Sequence, residues 1–258
     1  MTARVCTDLG AYRVAVAELP ASTQLAASVA DSIVVMPGDG PWWAAASEAI
    51  GAGAVAVVVA GPGSAPVDAI DALSASAGGV PVLLDRPLLR PDVVRDVSEA
   101  LADAAAAGAV VVECHAPAPA LRTTLREAVG WARVVATAPL ALRTSESSGR
   151  RVLALLASET GAAVSLVAAA QPGAPALGRV RITTVAERRL EVDADLEAVV
   201  TVTDAEGDRI LPTRFEARER VALRRAVAAV RAGEPSADLA DLRHDTLLGN
   251  ALLDPAFS

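Results

Sequence analysis

The sequence predicts an α/β protein in two parts: a doubly wound parallel sheet, then an α+β region whose sheet is mostly antiparallel. Three observations predict it. Up to residue 137, short apolar runs alternate with helix-length segments, as in parallel strands joined by crossover helices. After residue 138 the runs follow one another with turn residues between them, the mark of antiparallel pairing. Hydrophobic residues make up 53% of the chain and aromatics only 2%, so small Ala and Val side chains must build the core. Such side chains suit helices packed closely on a buried sheet. The expected division is 1–137 and 138–258.

Each element has a local reason. Residues 13–19 (RVAVAEL) and 32–36 (SIVVM) read as short strands. Residues 41–50 (PWWAAASEAI) read as a helix with Pro41 in its first turn, where no N–H is needed. Residues 54–60 (AVAVVVA) form a continuous apolar run bounded by glycine, the pattern of a strand buried on both faces. A helix over 66–77, a strand over 80–84 and a helix over 91–107 follow, with Gly108 placed as its C′ glycine. A strand over 109–114, a helix over 118–129 and a strand over 132–137 complete the first part. In the second part a helix over 149–158 precedes apolar or alternating segments at 163–170, 178–187, 190–203 and 209–215. Ala205-Glu206-Gly207-Asp208 supplies turn chemistry. Helices over 217–232 and 237–253, split by Gly233-Glu234-Pro235, close the chain.

Composition excludes several chemistries. The chain of 258 residues contains no lysine, and all 23 basic residues are arginine. A Schiff base, a P-loop ammonium and a lysine acid or base are therefore absent. Arginine stays protonated and cannot shuttle protons at neutral pH. The net charge of −8 argues against a nucleic-acid binder that tracks phosphates. Cys6 and Cys114 are too few for a disulfide framework or a thiolate metal site, so a reducing compartment is expected. The opening residues MTARVCTDLG lack the pattern of a signal peptide. No apolar run approaches the ~20 residues of a membrane span. A cytoplasmic protein with no membrane or nucleic-acid partner is the expectation.

The residues that carry chemistry are few. Gly61-Pro62-Gly63-Ser64-Ala65-Pro66 follows an apolar strand and opens a helix. It reads as a nucleotide-binding turn, with Asp85 at the end of the next strand for a ribose hydroxyl, or as a plain strand-to-helix turn. Pro62 and Pro66 weaken the first reading by deleting N–H donors. Asp85-Arg86-Pro87 leaves the carboxyl end of a strand, where ligands bind in open α/β sheets. Arg86 is either an anion clamp there or an internal partner of Asp85. Glu113-Cys114-His115 ends another strand. His115 is the one neutral-pH proton carrier expected near that edge, or else a solvent-facing loop histidine. A Cys114–His115 nucleophilic pair is disfavoured because neighbours on a strand face opposite sides. His244 reads as a surface residue, and two histidines this far apart make no metal site. Trp42 and Trp43 read as a core residue and an interface residue of one helix, or as a stacking surface. The arginines of 218–231 read as a solvated face with local acidic partners.

Five segments together resemble the Gfo/Idh/MocA oxidoreductases. VAVVVAGP (55–62) resembles that family's strand ending in VVxATP. VPVLLDRPLLRP (80–91) is similar to its hVxxEKPLA segment. VVVECHAPAPALRTTLREAVG (110–130) matches its strand, turn and long helix. SGRRVLALLASETGAAVSLVAA (148–169) looks like the helix and strand opening its C-terminal domain. RERVALRRAVAAVRAGEPSADLADLRHDTLLGNALL (218–253) resembles its closing helices. The resemblance implies a Rossmann-like domain, truncated here, and NAD or NADP as cofactor if the chain is active. It also implies a substrate pocket near Arg143, Arg150 and Arg151, where Arg143 and Arg151 are candidate anion ligands. A helix cap at Ser147 or Ser148 is the simpler account of that stretch.

The departures shape the functional expectation. Nothing before residue 50 matches the family's GxGxxG turn, and the chain is about one βαβ unit shorter at its start. Arg86 stands where the family has its loop lysine. Gly149, Arg150 and Arg151 stand where its catalytic histidine is expected. One expectation is therefore a catalytically degraded member acting as a ligand-binding or assembly subunit. It would form a homo-oligomer through the outer face of its C-terminal sheet, for which the alternating strand 179–186 (RVRITTVA) suits a packed face, or associate with a catalytic paralogue. The other is an active NAD(P)-dependent oxidoreductase on a small sugar, polyol or related carbonyl compound. In it His115 carries the proton, Arg86 clamps the anion or carbonyl, and Gly61, Gly63 and Asp85 bind the cofactor.

Overall fold

The computed structural model describes residues 2–102 and 108–253. The chain forms two compact units, one built from the residues up to Arg86 with Phe215–Arg243, the other from Pro87–Arg214 with the residues from His244 onward. The units part at Arg86/Pro87, earlier than the expected 137/138.

The first unit is a five-stranded, wholly parallel sheet. Its strands are β1 (Ala3–Cys6), β2 (Thr23–Leu25), β3 (Ile33–Pro37), β4 (Ala56–Ala60) and β5 (Val82–Asp85), in the order β2-β1-β3-β4-β5. Helices α1 (Gly10–Glu18), α2 (Trp42–Gly51), α3 (Val67–Ser76) and α6 (Arg218–Ala232), with the start of α7 (Asp238–Leu253), cover it. Alternate residues of each strand face opposite layers. Val5, Ile33, Val35, Val58 and Leu83 pack with Tyr12 and Val16 of α1 and Leu223 and Ala226 of α6. Val34, Val57, Val59, Val82 and Leu84 pack with Trp42, Ile70, Leu73, Leu239 and Leu242. Burial on both faces is why these strands read as uninterrupted apolar runs.

The opening of the chain differs from expectation. Residues 13–19 are helix, not strand. Their Val/Ala alternation imitates a strand, but the buried set Tyr12, Ala15 and Val16 has helical spacing. The βαβ unit expected to be missing is present as β1, α1 and β2, with both strands too short to stand out.

The second unit is an eight-stranded sheet in the order β13-β12-β11-β10-β6-β9-β8-β7. Its strands are β6 (Ala109–Ala116), β7 (Leu140–Ser147), β8 (Arg151–Ser158), β9 (Ala163–Ala170), β10 (Arg179–Val185), β11 (Arg189–Ala194), β12 (Val199–Asp204) and β13 (Gly207–Ile210). All pairs are antiparallel except β6 with β9. Helix α5 (Leu121–Ala136), preceded by a short turn of helix at Ala118–Ala120, packs Leu125, Ala128, Val129 and Ala132 on one face of this sheet. Helix α4 (Pro91–Leu101) adds Val93 and Val97 to the same core. The indole of Trp131 is buried and donates to the Leu88 carbonyl at 2.6 Å.

Four expectations fail here for physical reasons. Strand β6, read as part of the first layer, pairs with β10 and β9 of the second sheet. Residues 132–137 continue α5, whose buried Trp131, Ala132, Val135 and Ala136 keep a helical period, and Thr137 ends it in the left-handed region at φ 53°. Residues 149–158 are a turn and a strand. Val152, Ala154, Leu156 and Ser158 face inward, and the outward Leu153 and Leu155 disguise the alternation. With no helix there, the cap expected at Ser147 or Ser148 does not exist. The helix expected over 91–107 is observed to Leu101, residues 103–107 lie outside the described set, and Gly108 is not among the glycines with positive φ.

Candidate functional site

In a parallel sheet, ligands bind beyond the carboxyl ends of the strands, where the strand order reverses. In the first unit that point lies between β1 and β3. The turn after β1 is Cys6-Thr7-Asp8-Leu9-Gly10, and α1 begins at Gly10. The Thr7 hydroxyl accepts the Leu9 N–H at 3.2 Å. A dinucleotide pyrophosphate needs a glycine-rich turn with free amides at this helix start. Here the turn holds one glycine, a carboxylate at exposed Asp8, and the Leu9 amide already engaged. The next strand, β2, runs into Leu25-Ala26-Ala27-Ser28 and supplies no carboxylate for a ribose. These residues do not fit a dinucleotide.

The expected cofactor turn at Gly61 and Gly63 is closed on itself. The Gly61 N–H donates to the Asp85 carbonyl at 2.9 Å, and the Gly63 N–H to the Gly38 carbonyl at 2.7 Å. The Gly38 N–H in turn donates to the Ala60 carbonyl at 2.8 Å. Gly38 is glycine because nothing larger fits: a β-carbon there would fall 2.6 Å from the Gly61 carbonyl oxygen. The carboxyl ends of β3, β4 and β5 are thus stitched together by backbone. The amides that a phosphate would use are engaged, and Pro62 has none.

Asp85, expected to meet a ribose, is only 3% exposed. The Tyr12 hydroxyl donates to its Oδ2 at 2.7 Å, and Arg218 Nε lies 3.6 Å from the same oxygen. Burial first, and the Asp85 charge second, push the Tyr12 phenol far above its ordinary range, so it remains a donor. Asp85 ties α1 and α6 to the end of β5. Arg86 is 5% exposed and engaged within the chain, which makes it a fixed internal cation rather than an open clamp. The sequence held no signal for the Tyr12–Asp85 bond, which joins residues 73 apart.

His115, Arg143 and Arg151 belong to the second unit, so they share no compact body with Asp85 and Arg86. His115 lies on the outer face of β6, in register with Arg179 of β10 and Ala169 of β9, and Ala169 is in register with Arg151 of β8. Its Nδ1 is enclosed and has no hydrogen-bond partner among the described residues. Arg143 sits at a bulge in β7, and Arg151 opens β8 after the turn at Gly149-Arg150. Both are exposed. The structure therefore places Arg151 in line with His115 and Arg143 elsewhere on the sheet. Cys114 points into the core and is fully buried, which pushes its thiol up to about 12 and leaves it inert. Thr144, Glu146, Leu153, Leu155 and Ser165 line a shallow depression of about 320 Å³ on the outer face. Among the described residues, no group of three His, Cys, Asp or Glu side chains is arranged to hold a metal ion. Nor is any helix among them long and apolar enough to cross a membrane.

His244 departs from its expected surface role. It is half-buried on α7, with Nδ1 3.3 Å from Asp245 Oδ1 and Nε2 against the backbone of Leu140. Asp245, fully buried, is held by Arg133 of α5 at 2.9 and 3.2 Å. The bond to Asp245 raises the His244 pKa above its ordinary value, aided by the Leu140 carbonyl and opposed by burial and Arg133. The arginines of α6 do pair locally, Arg220 and Arg224 with Glu216 and Arg218 with Glu219.

No protein-family model and no curated protein sequence matches the chain. Solved structures do. UDP-N-acetylglucosamine 3-dehydrogenase GnnA from Acidithiobacillus ferrooxidans superposes with a TM-score of 0.73 at 15% identity, over 100% of this chain and 98% of that one. KijD10, a 3-ketoreductase from Actinomadura kijaniata in complex with NADP and TDP-benzene, superposes with a TM-score of 0.69 at 14% identity, over 98% and 97%. The chain therefore has the two-part fold of these sugar dehydrogenases and ketoreductases: a parallel Rossmann-like sheet joined to a mostly antiparallel one.

Proposed function

We propose that this chain is a divergent, Gfo/Idh/MocA-like protein that no longer transfers hydride and serves as a ligand-binding or assembly subunit. One observation carries the reading. Every group expected to grip the cofactor is committed inside the fold: the Gly61 and Gly63 amides to backbone carbonyls, and Asp85 to Tyr12 and Arg218. Function on a shared fold resides in its sites, and here the site groups are engaged elsewhere. The outer face of the eight-stranded sheet instead exposes Val111, Leu153, Leu155 and Val167, apolar side chains on three neighbouring strands of the kind that association would cover. The reading has this face join copies into a homo-oligomer, or seat a catalytic paralogue, in a reducing cytoplasm. Titration with NAD(H) and NADP(H), together with sedimentation, tests it. No dinucleotide binding with self-association supports it, and micromolar dinucleotide affinity defeats it.

A second reading is favoured by the likeness to GnnA and KijD10, the latter in complex with NADP. The chain would then be an NAD(P)-dependent oxidoreductase on a small sugar or related carbonyl compound. The nicotinamide would supply the hydride and His115 one proton, with Arg151, in line with it across β9, as an anion contact. Turnover of a sugar nucleotide that falls in His115→Ala would establish it. Turnover unchanged in that variant would remove His115 from the scheme.

A further inference from the structure

We infer that two copies of the chain pair β2 with β2, antiparallel, about a two-fold axis at Leu25, which joins their parallel sheets into one continuous sheet. This contact lies in the first unit and is separate from the sheet face considered above.

The edge strands are β2 and β5 in one sheet, β7 and β13 in the other. An edge strand presents unpaired N–H and C=O groups, and proteins blunt it with charge, proline, a bulge or a covering element. Three of these edges are blunted so. At β5 the Leu84 N–H donates to the Asp238 carboxylate at 2.8 Å, and Arg225 holds that carboxylate in turn. β7 has a bulge at Arg143, and β13 is short and carries Asp208 and Arg209. Among the described residues, β2 has none of these devices. Residues 21–30 (ASTQLAASVA) contain no charge and no proline. No helix lies between β2 and β3. Gln24 is exposed, and so is Leu25, at 45%.

Backbone parity then selects the occupant. The Ala3 N–H donates to the Ser22 carbonyl and the Ala26 N–H to the Val5 carbonyl, each at 2.8 Å. Residues 22, 24 and 26 thus face β1, and Thr23, Leu25 and Ala27 turn their backbone outward. The Thr23 N–H donates to the Leu19 carbonyl at 2.9 Å. The Thr23 C=O, both groups of Leu25 and the Ala27 N–H remain on the outer edge. That set is its own complement. About a two-fold axis at Leu25, each Leu25 N–H meets the Leu25 C=O of the other copy, and each Ala27 N–H meets the other Thr23 C=O. An uncharged edge laid beside itself meets no like charge. The two Leu25 side chains become cross-strand neighbours on the α1 side of the sheet, the side that Val5 faces.

Mixed disulfide formation tests the register. In this pairing Gln24 of one copy stands opposite Ala26 of the other as a non-hydrogen-bonded pair, with α-carbons about 4.5 Å apart, within the span of a disulfide. On mild oxidation of the full chain, Gln24→Cys mixed with Ala26→Cys should give a cross-linked pair. Neither variant alone should, nor the parent with its Cys6 and Cys114. Sedimentation velocity, with far-UV circular dichroism as a folding control, reads the strength of the contact. Leu25→Pro removes only an outward N–H, on an edge strand where proline is tolerated, and should weaken association about tenfold or more. Leu25→Lys, which sets like charges side by side, should do the same. A mixture that cross-links no more than either variant alone overturns the pairing, as does a parent chain that sediments as one copy at high concentration. Leu25 variants that associate like the parent overturn it too, and leave self-association through another surface standing.

Discussion

His244 Nε2 stands 3.1 Å from both the amide nitrogen and the carbonyl oxygen of Leu140. The neutral ring, with its proton on Nδ1 toward Asp245, accepts the Leu140 N–H. The protonated ring donates to the Leu140 carbonyl. The first residue of β7 is therefore held in either state, but the charged ring also faces buried Asp245, whose bond raises the His244 pKa. A raised folded-state value means that the stabilisation is complete below the unfolded pKa of ~6.5 and is lost as pH rises through the folded one. The expected outcome is that His244→Gln costs more stability at about pH 5.5 than at about pH 8, read from urea midpoints. A deficit independent of pH would contradict the proton's role.

Tyr12→Phe removes a buried donor from Asp85 without changing the shape of the core. Loss of a hydrogen bond to a buried carboxylate costs about 1–3 kcal/mol. Chemical denaturation should show that loss, and a variant as stable as the parent would make the 2.7 Å bond energetically idle.

Gly38→Ala tests the backbone stitching of β3 to β4. Its φ needs no glycine, so the penalty is purely steric. The added carbon would meet the Gly61 and Pro62 backbone at 2.6 Å, where no flexible side chain can yield. Overpacking of this kind costs about 1–3 kcal/mol. A thermal midpoint unchanged from the parent would show that the strand ends are not locked.

The two thiols should differ sharply. Cys114 is enclosed in the core with its pKa pushed up to about 12, while Cys6 is half-buried at the end of β1. A thiol-reactive dye should label one cysteine in the native chain and both in denaturant. Rapid native labelling of Cys114 would mean that the core around β6 opens.

Much of the first sheet is legible in the sequence because burial on both faces leaves continuous apolar runs. The runs at 54–60 and 80–84 are β4 and β5 within a residue or two. Where small residues dominate, period fails as a guide. RVAVAEL alternates like a strand yet folds as α1, and LALLAS looks helical yet is β8. The candidate site was legible as a place and not as a state. The loops at Gly61 and Asp85 do lie at the carboxyl ends of strands, as their order along the chain implies. Whether their amides and carboxylate face a ligand depends on Gly38, Tyr12 and Arg218, which are distant in sequence and reach them only through the fold. The line joining His115, Ala169 and Arg151 depends likewise on strand register.

The Rossmann-like first unit commits the Gly61 and Gly63 amides and the Asp85 carboxylate inside the fold and so offers no free phosphate grip there. Isothermal titration of the full chain with NADPH and with NADH tests it most directly. No saturable heat is expected into the millimolar range. A stoichiometric isotherm with a micromolar dissociation constant would contradict it.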